Sequence, residues 1–160
     1  MKKLFVALQT RGITISMDTN YDGTKKWSGV EELLPLIDVL LPNEVEARCL
    51  ARENSVESAL AYFESRTKLT IVTMGEQGSQ GRSSTGWDHT QGAYPATTVD
   101  PTGAGDAFNA GFLYGWKMLG SVADGMKYGS AAASLNVQYE GACSSPQTLD
   151  RIEAVVNGSK

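Results

Sequence analysis

Asp100-Pro101-Thr102-Gly103-Ala104-Gly105-Asp106-Ala107-Phe108-Asn109-Ala110-Gly111 reads as the entry to a long helix, with Gly103 and Gly105 at its mouth. Ala104, Ala107, Phe108, Gly111, Phe112 and Gly115 then recur at spacings of three and four. A helix mouth leaves its first amides without intrahelical partners and carries the positive end of the helix dipole. Glycines there let an anion approach the main chain, so the stretch suits a phosphoryl group held by backbone donors without any Lys. Asp106 would repel a simple anion, but it makes chemical sense as the acceptor of a proton from an attacking hydroxyl. A plainer reading stands beside this one: an acid in a first helical turn after a tight glycine turn. The small residues of the stripe are expected to bring the helix close to a sheet.

Upstream of this helix the chain alternates. Leu4, Phe5 and Leu8 lie at helical spacing in residues 2–10, Gly12 breaks that pattern, and Ile13 to Met17 predicts a buried strand. A second strand is expected at Val39 to Leu41, then Pro42-Asn43 and a helix from Glu44 to about Ala51. Val56, Leu60 and Phe63 share one face of a helix over 56–66, and Thr70 to Met74 is the clearest strand. Such alternation predicts a mostly parallel sheet with helices on its faces. Ser79 to Thr98, punctuated by Gly81, Gly86, Gly92 and Pro95, reads as an antiparallel meander. Helices from about Val122 to Tyr139 and Pro146 to Val156 complete a single domain over residues 1–160.

Composition narrows the function classes. The chain has 160 residues, 14 Lys plus Arg against 18 Asp plus Glu, a net charge of −4 and 41% hydrophobic residues, as an ordinary globular chain does. Without a Lys/Arg block there is no electrostatic footprint for nucleic acid or an anionic membrane. No apolar run approaches the ~20 residues of a membrane span. Leu4 to Leu8 falls short of the roughly 7–15 residues of a signal core. Cys49 and Cys143 form neither a zinc pattern nor a disulfide framework, which predicts a reduced, cytoplasmic chain. Trp27, Trp87, Trp116 and the sole histidine, His89, read as packing or surface groups.

Three further segments fall at strand ends or helix starts, where open α/β sheets bind ligands. Asn43-Glu44-Val45-Glu46 is by itself a capping box, Thr73-Met74-Gly75-Glu76-Gln77-Gly78 a β-turn, and Asp18-Thr19-Asn20 a polar strand-to-loop turn. Taken in order with Asp100 to Asp106, these segments closely resemble the motifs of the PfkB, or ribokinase-like, carbohydrate kinases. Pro101 stands where many members have Thr.

The resemblance implies a ribokinase-like three-layer α/β/α fold and ATP-dependent phosphorylation of a sugar hydroxyl. In it Asp106 is the general base, and the amides of Gly103, Ala104 and Gly105 form an anion hole. Asn43 and Glu46 help hold Mg²⁺ through water, a suitable task because Mg²⁺ keeps several waters and takes few carboxylates. Asn43, Thr73, Gly75 and Gly78 lie along the nucleotide with Gly103 and Gly105, and Ser130 falls near its adenine end. Asp18 and Asn20 match the sugar-binding Asp-x-Asn-x-Arg pattern, except that Asp22 replaces the Arg. Asp100, Thr102, Asn136, Tyr139, Gly141 and Ser145 correspond to a loop that binds a monovalent cation such as K⁺.

Family members are roughly twice as long, so the resemblance also implies a sheet truncated on its amino-terminal side. The exposed edge would invite association, a homodimer included. An alternative is a noncatalytic nucleotide-binding or interaction module derived from such a kinase. A Rossmann oxidoreductase is disfavoured, since no Gly-x-Gly-x-x-Gly opens a first βαβ unit.

Overall fold

The computed structural model describes all residues except 21, 25, 143, 145, 146, 159 and 160. In chain order come α1 (Lys2–Gln9), β1 (Ser16–Met17), β2 (Val39–Leu40), α2 (Glu44–Ala51), α3 (Val56–Glu64) and β3 (Leu69–Thr73). They are followed by β4 (Ser79–Ser83), β5 (Asp88–Gln91), α4 (Ala104–Leu119), α5 (Val122–Asn136) and α6 (Leu149–Val156). Two compact units result: Met1–Met74 with Gln80–His89, and Gly75–Ser79 with Thr90–Lys160.

The strands lie in the order β1-β2-β3-β4-β5, with β1 at one edge. β1 pairs parallel with β2, Ser16 opposite Val39, and β2 pairs parallel with β3, Leu40 opposite Thr70. The links from β3 to β4 and from β4 to β5 are too short for a crossover, which makes these pairs antiparallel and the sheet mixed. Val39, Leu40, Ile71 and Val72 are fully buried, as expected of strands covered on both faces. In the first unit Leu40 and Val72 pack with Leu34, Ile37, Ala47, Leu50, Leu60 and Phe63. Trp27 joins this core, as a packing role predicts.

β1 is shorter than the expected strand from Ile13 to Met17. The Asp38 carboxylate accepts the Ile15 amide at 2.8 Å, and the Ile15 carbonyl accepts both the Asp38 and Val39 amides, so regular pairing starts only at Ser16. Ile13, ahead of this junction, is exposed. No strand follows β5 before α4, where a meander was expected up to Thr98.

In the second unit the glycines of the small-residue stripe meet another helix. A Cβ on Gly111 would stand 2.5 Å from the Tyr128 carbonyl oxygen, and one on Gly115 2.7 Å from that of Asp124. Reciprocally, Cβ atoms on Gly125 and Gly129 would meet the Phe112 and Phe108 carbonyls at 2.8 and 2.9 Å. The backbones of α4 and α5 therefore touch, and neither helix can accept side chains along this seam. Gly111→Leu is expected to destabilise the protein by at least the ~1–3 kcal/mol typical of overpacking. Gly23→Ala, in open space, should change little. Thermal unfolding of the two variants checks the contrast.

Candidate functional site

At the carboxyl ends of the parallel strands the first unit gathers one group of candidate residues. β3 ends at Thr73, which bridges to Asn43 in parallel register, while the Thr73 amide donates to the Pro42 carbonyl at 3.1 Å. Asn43 caps α2: its Oδ1 accepts the amides of Val45 and Glu46 at 2.9 and 3.0 Å. Glu46 returns the contact, its Oε2 accepting the Asn43 amide at 3.1 Å, so the capping box is complete. The same Oε2 accepts the Thr19 hydroxyl at 2.9 Å, which ties the segment after β1 to the α2 cap. Glu46 is buried at 4% exposure, whereas Asp18, Asn20 and Asn43 are exposed.

Asn20 adopts a left-handed φ of 42°, its amide donating to Asp18 Oδ1 at 3.0 Å and its carbonyl accepting the Trp27 indole N–H at 3.1 Å. Asp22, where the resemblance has Arg, organises the following turn. It accepts the Thr24 hydroxyl and the Thr24, Lys26 and Trp27 amides. The Thr24 hydroxyl, followed by the Thr24 and Trp27 amides, holds the Asp22 carboxyl below the usual carboxylate range.

The second unit contains the helix entry. Gly103 is the N-cap of α4 with φ 77° and contributes no side-chain cap. A Cβ there would lie 2.7 Å from the Ala142 carbonyl oxygen, so conformation and space both demand glycine. Among the described residues the amides of Gly103, Gly105 and Asp106 find no hydrogen-bond partner, while Ala104 donates to Pro101 and Ala107 to Gly103. Around Gly105 there is open space. Asp106 is exposed, and no described residue bonds its carboxylate.

Most of the positions matched to a cation loop form one hydrogen-bonded cluster behind this entry. Asp100 Oδ1 accepts the Thr102 amide at 2.9 Å and Oδ2 the Gly141 amide at 2.8 Å. Asn136, 1% exposed, donates to the Thr102 carbonyl at 2.9 Å and accepts from Gln147 at 3.1 Å. The exposed Tyr139 hydroxyl accepts from Arg151 at 3.2 Å. Ser145 and Cys143 lie outside the described residues. The Thr102 hydroxyl, the Gly141 amide and the Thr102 amide, in that order, hold the Asp100 carboxyl below its ordinary range.

In the turn after β3, Gly78 has φ 89° and a Cβ on it would run into the Gln91 carbonyl, while Gly75 has φ 57° and open space beside it. Ser130 is buried on α5 and its hydroxyl has no partner among the described residues. Ser79, directly after Gly78, shares that state. The hydrogen bonds that Thr19 and Asp22 make here are contributions that sequence reasoning missed. Only the polar turn around Thr19 and Asp22 gave any hint of them.

The residues fit the groups the motifs imply. Unpaired amides and an uncapped glycine at a helix mouth suit a phosphate. Among the described residues no cluster of three His, Cys, Asp or Glu forms a metal cage, and an Asn–Glu oxygen pair suits only a cation that keeps its own waters, as Mg²⁺ does. No helix among them is long and apolar enough to cross a membrane.

Comparison with known proteins gives the family and the fold. Residues 1–149 match the family model described as pfkB family carbohydrate kinase. A ribokinase of Staphylococcus aureus is 35% identical over 131 residues, 78% of this chain and 43% of that protein. An ATP-dependent ribose-1-phosphate kinase of Halopiger xanaduensis is 32% identical over 146 residues, 91% of this chain and 47% of that one. Among solved structures, Arabidopsis thaliana ribokinase complexed with ribose and ATP matches with a TM-score of 0.84 and 29% identity, covering 96% of this chain and 51% of that one. The chain thus spans about half the length of the curated relatives it matches.

A depressed carboxyl contributes stability that is present above its unfolded pKa of about 3.9 and lost as pH falls through its lower folded value. Asp100→Asn is therefore expected to lower the melting temperature at pH 7. As pH falls below the ordinary carboxylate range toward the lower folded value, the difference from the parent chain should narrow. Thermal unfolding from pH 7 to pH 2.5 checks both.

Proposed function

The chain belongs to the pfkB family of carbohydrate kinases and has the ribokinase-type fold, and on that premise we propose that it forms the nucleotide-binding and catalytic portion of an ATP-dependent sugar kinase. The observation that carries this reading is the pairing, on one helix turn, of amides at Gly103, Gly105 and Asp106 with an exposed Asp106 carboxylate, none of them partnered among the described residues. In this reading Asp106 accepts the proton of the attacking sugar hydroxyl. The amides of the Gly103–Gly105 segment and of Asp106 meet the charge on the transferring phosphoryl group, each well-placed donor contributing about 3–4 kcal/mol. They are fixed before the reaction, so no reorganisation is spent in the transition state.

Asn43 and Glu46 would hold Mg²⁺ through its waters, and the cation would supply neutralisation of phosphate charge. Thr73, Gly75, Gly78 and Ser130 contact the nucleotide, the last through a hydroxyl that has no partner among the described residues. Asp18 and Asn20 meet the sugar. Asp22 is committed to its own turn and supplies no cation for an acidic substrate. The Asp100 cluster supports a monovalent cation such as K⁺ and holds the helix entry in place. We place the protein in the cytoplasm, in keeping with Cys49, a free thiol among the described residues.

A second reading, a noncatalytic nucleotide-binding module, is favoured by the match to only about half of each relative. Calorimetric titration with ATP–Mg²⁺ beside a sugar-phosphorylation assay separates the two. For a kinase, Asp106→Asn should reduce turnover by about 10²–10⁴ with nucleotide affinity nearly unchanged. Gly105→Val should weaken ATP binding itself. ATP binding without phosphoryl transfer to any sugar tested would support the module, and no ATP binding would refute both.

A further inference from the structure

The buried Glu46 side chain joins two segments to which the proposed function gives different ligands. Its Oε2 accepts one hydrogen bond from the Asn43 amide, on the metal side, and one from the Thr19 hydroxyl, between the sugar-side residues Asp18 and Asn20. Segment 18–20 is pinned at its far end too. The Trp27 indole N–H donates to the Asn20 carbonyl, and the Trp27 amide donates to Asp22. Trp27 itself is buried at 5% exposure with a left-handed φ of 41°, so the core holds this clamp.

Resting on the reading of Asn43 and Glu46 as the Mg²⁺ corner, we propose that Thr19 is a positioning residue. Its hydroxyl fixes the orientation of the Glu46 carboxylate and so couples the sugar-side segment to the metal corner, without touching either ligand. The physical case is one of satisfaction. A buried carboxylate oxygen needs its donors, and Thr19 supplies one of the two that this oxygen has among the described residues. Valine at this position keeps the shape and removes the donor. Glu46 is then free to turn toward water, and the Asn43 amide loses a fixed acceptor. Outer-shell donors of this kind orient metal-side carboxylates.

The test compares Thr19→Val and Thr19→Ser in the full chain, with Thr19→Ala as a second deletion of the hydroxyl should the valine variant fail to fold. ATP binding is measured by calorimetry across Mg²⁺ concentrations, and amide hydrogen exchange is read at Asn20, Asn43 and Glu46. Thr19→Val is expected to raise the Mg²⁺ concentration for half-maximal ATP binding roughly tenfold, the low end for loss of an outer-shell partner. It should also speed exchange at Asn43, and Thr19→Ser should restore both. Unchanged exchange at Asn43 and an unchanged Mg²⁺ requirement would overturn the proposal. If the parent chain binds ATP without any Mg²⁺ dependence, the metal-corner reading fails instead. Exchange at Asn43 then decides the Thr19 link alone: faster exchange rescued by serine supports it, and parent-like exchange overturns it.

Discussion

The left-handed turn at Gly103, pressed against the backbone of Ala142, is the constraint on which the rest depends. No side chain fits there, so α4 starts without the Ser, Thr, Asp or Asn that would normally accept its first amides. Such a cap is typically worth ~1 kcal/mol. Its omission leaves donors available to a ligand, and the surrounding structure holds the uncapped turn in place. Asp100 and Asn136 do this from behind, one bonding the amides of Thr102 and Gly141 and the other the Thr102 carbonyl. Direct contact between the α4 and α5 backbones then sets the direction of the helix below its mouth.

The chain uses its carboxylates in contrasting ways. Glu46 is buried and bonded on one oxygen by two donors, the condition of a group that orients others. Asp106 is exposed and unbonded among the described residues, the condition of a group free to accept a proton. Asp22 is exposed yet consumed by its own loop, where it gathers a hydroxyl and three amides. Three acids of similar chemistry are thus separated by their hydrogen bonds, and the proposed reading gives the base role to the exposed one, Asp106.

How much of this was legible in the sequence depended on the range of the interaction. The start of α2 was readable because Asn43 and Glu46 cap it within four residues, and the strand at Leu69–Thr73 because its apolar run is local. The glycine and acid at the α4 entry were legible for the same reason. The Thr19–Glu46 bond, 27 residues apart, and the Asp100–Gly141 bond, 41 apart, leave no periodic trace. Nor could the pattern of small residues on α4 say which surface would approach, since a sheet and a second helix impose the same demand for space. β1 was overestimated because the side chain of Asp38, in the bend just before β2, takes the Ile15 amide.

The most direct test is a backbone amide titration by nuclear magnetic resonance, following Gly103, Gly105 and Asp106 as ATP–Mg²⁺ is added to the chain. The account predicts that these three signals move early and shift strongly downfield, as amides do on bonding to phosphate, saturating together with the binding isotherm. Saturable nucleotide binding that leaves all three amides unmoved would contradict it, because the phosphates would then be held elsewhere.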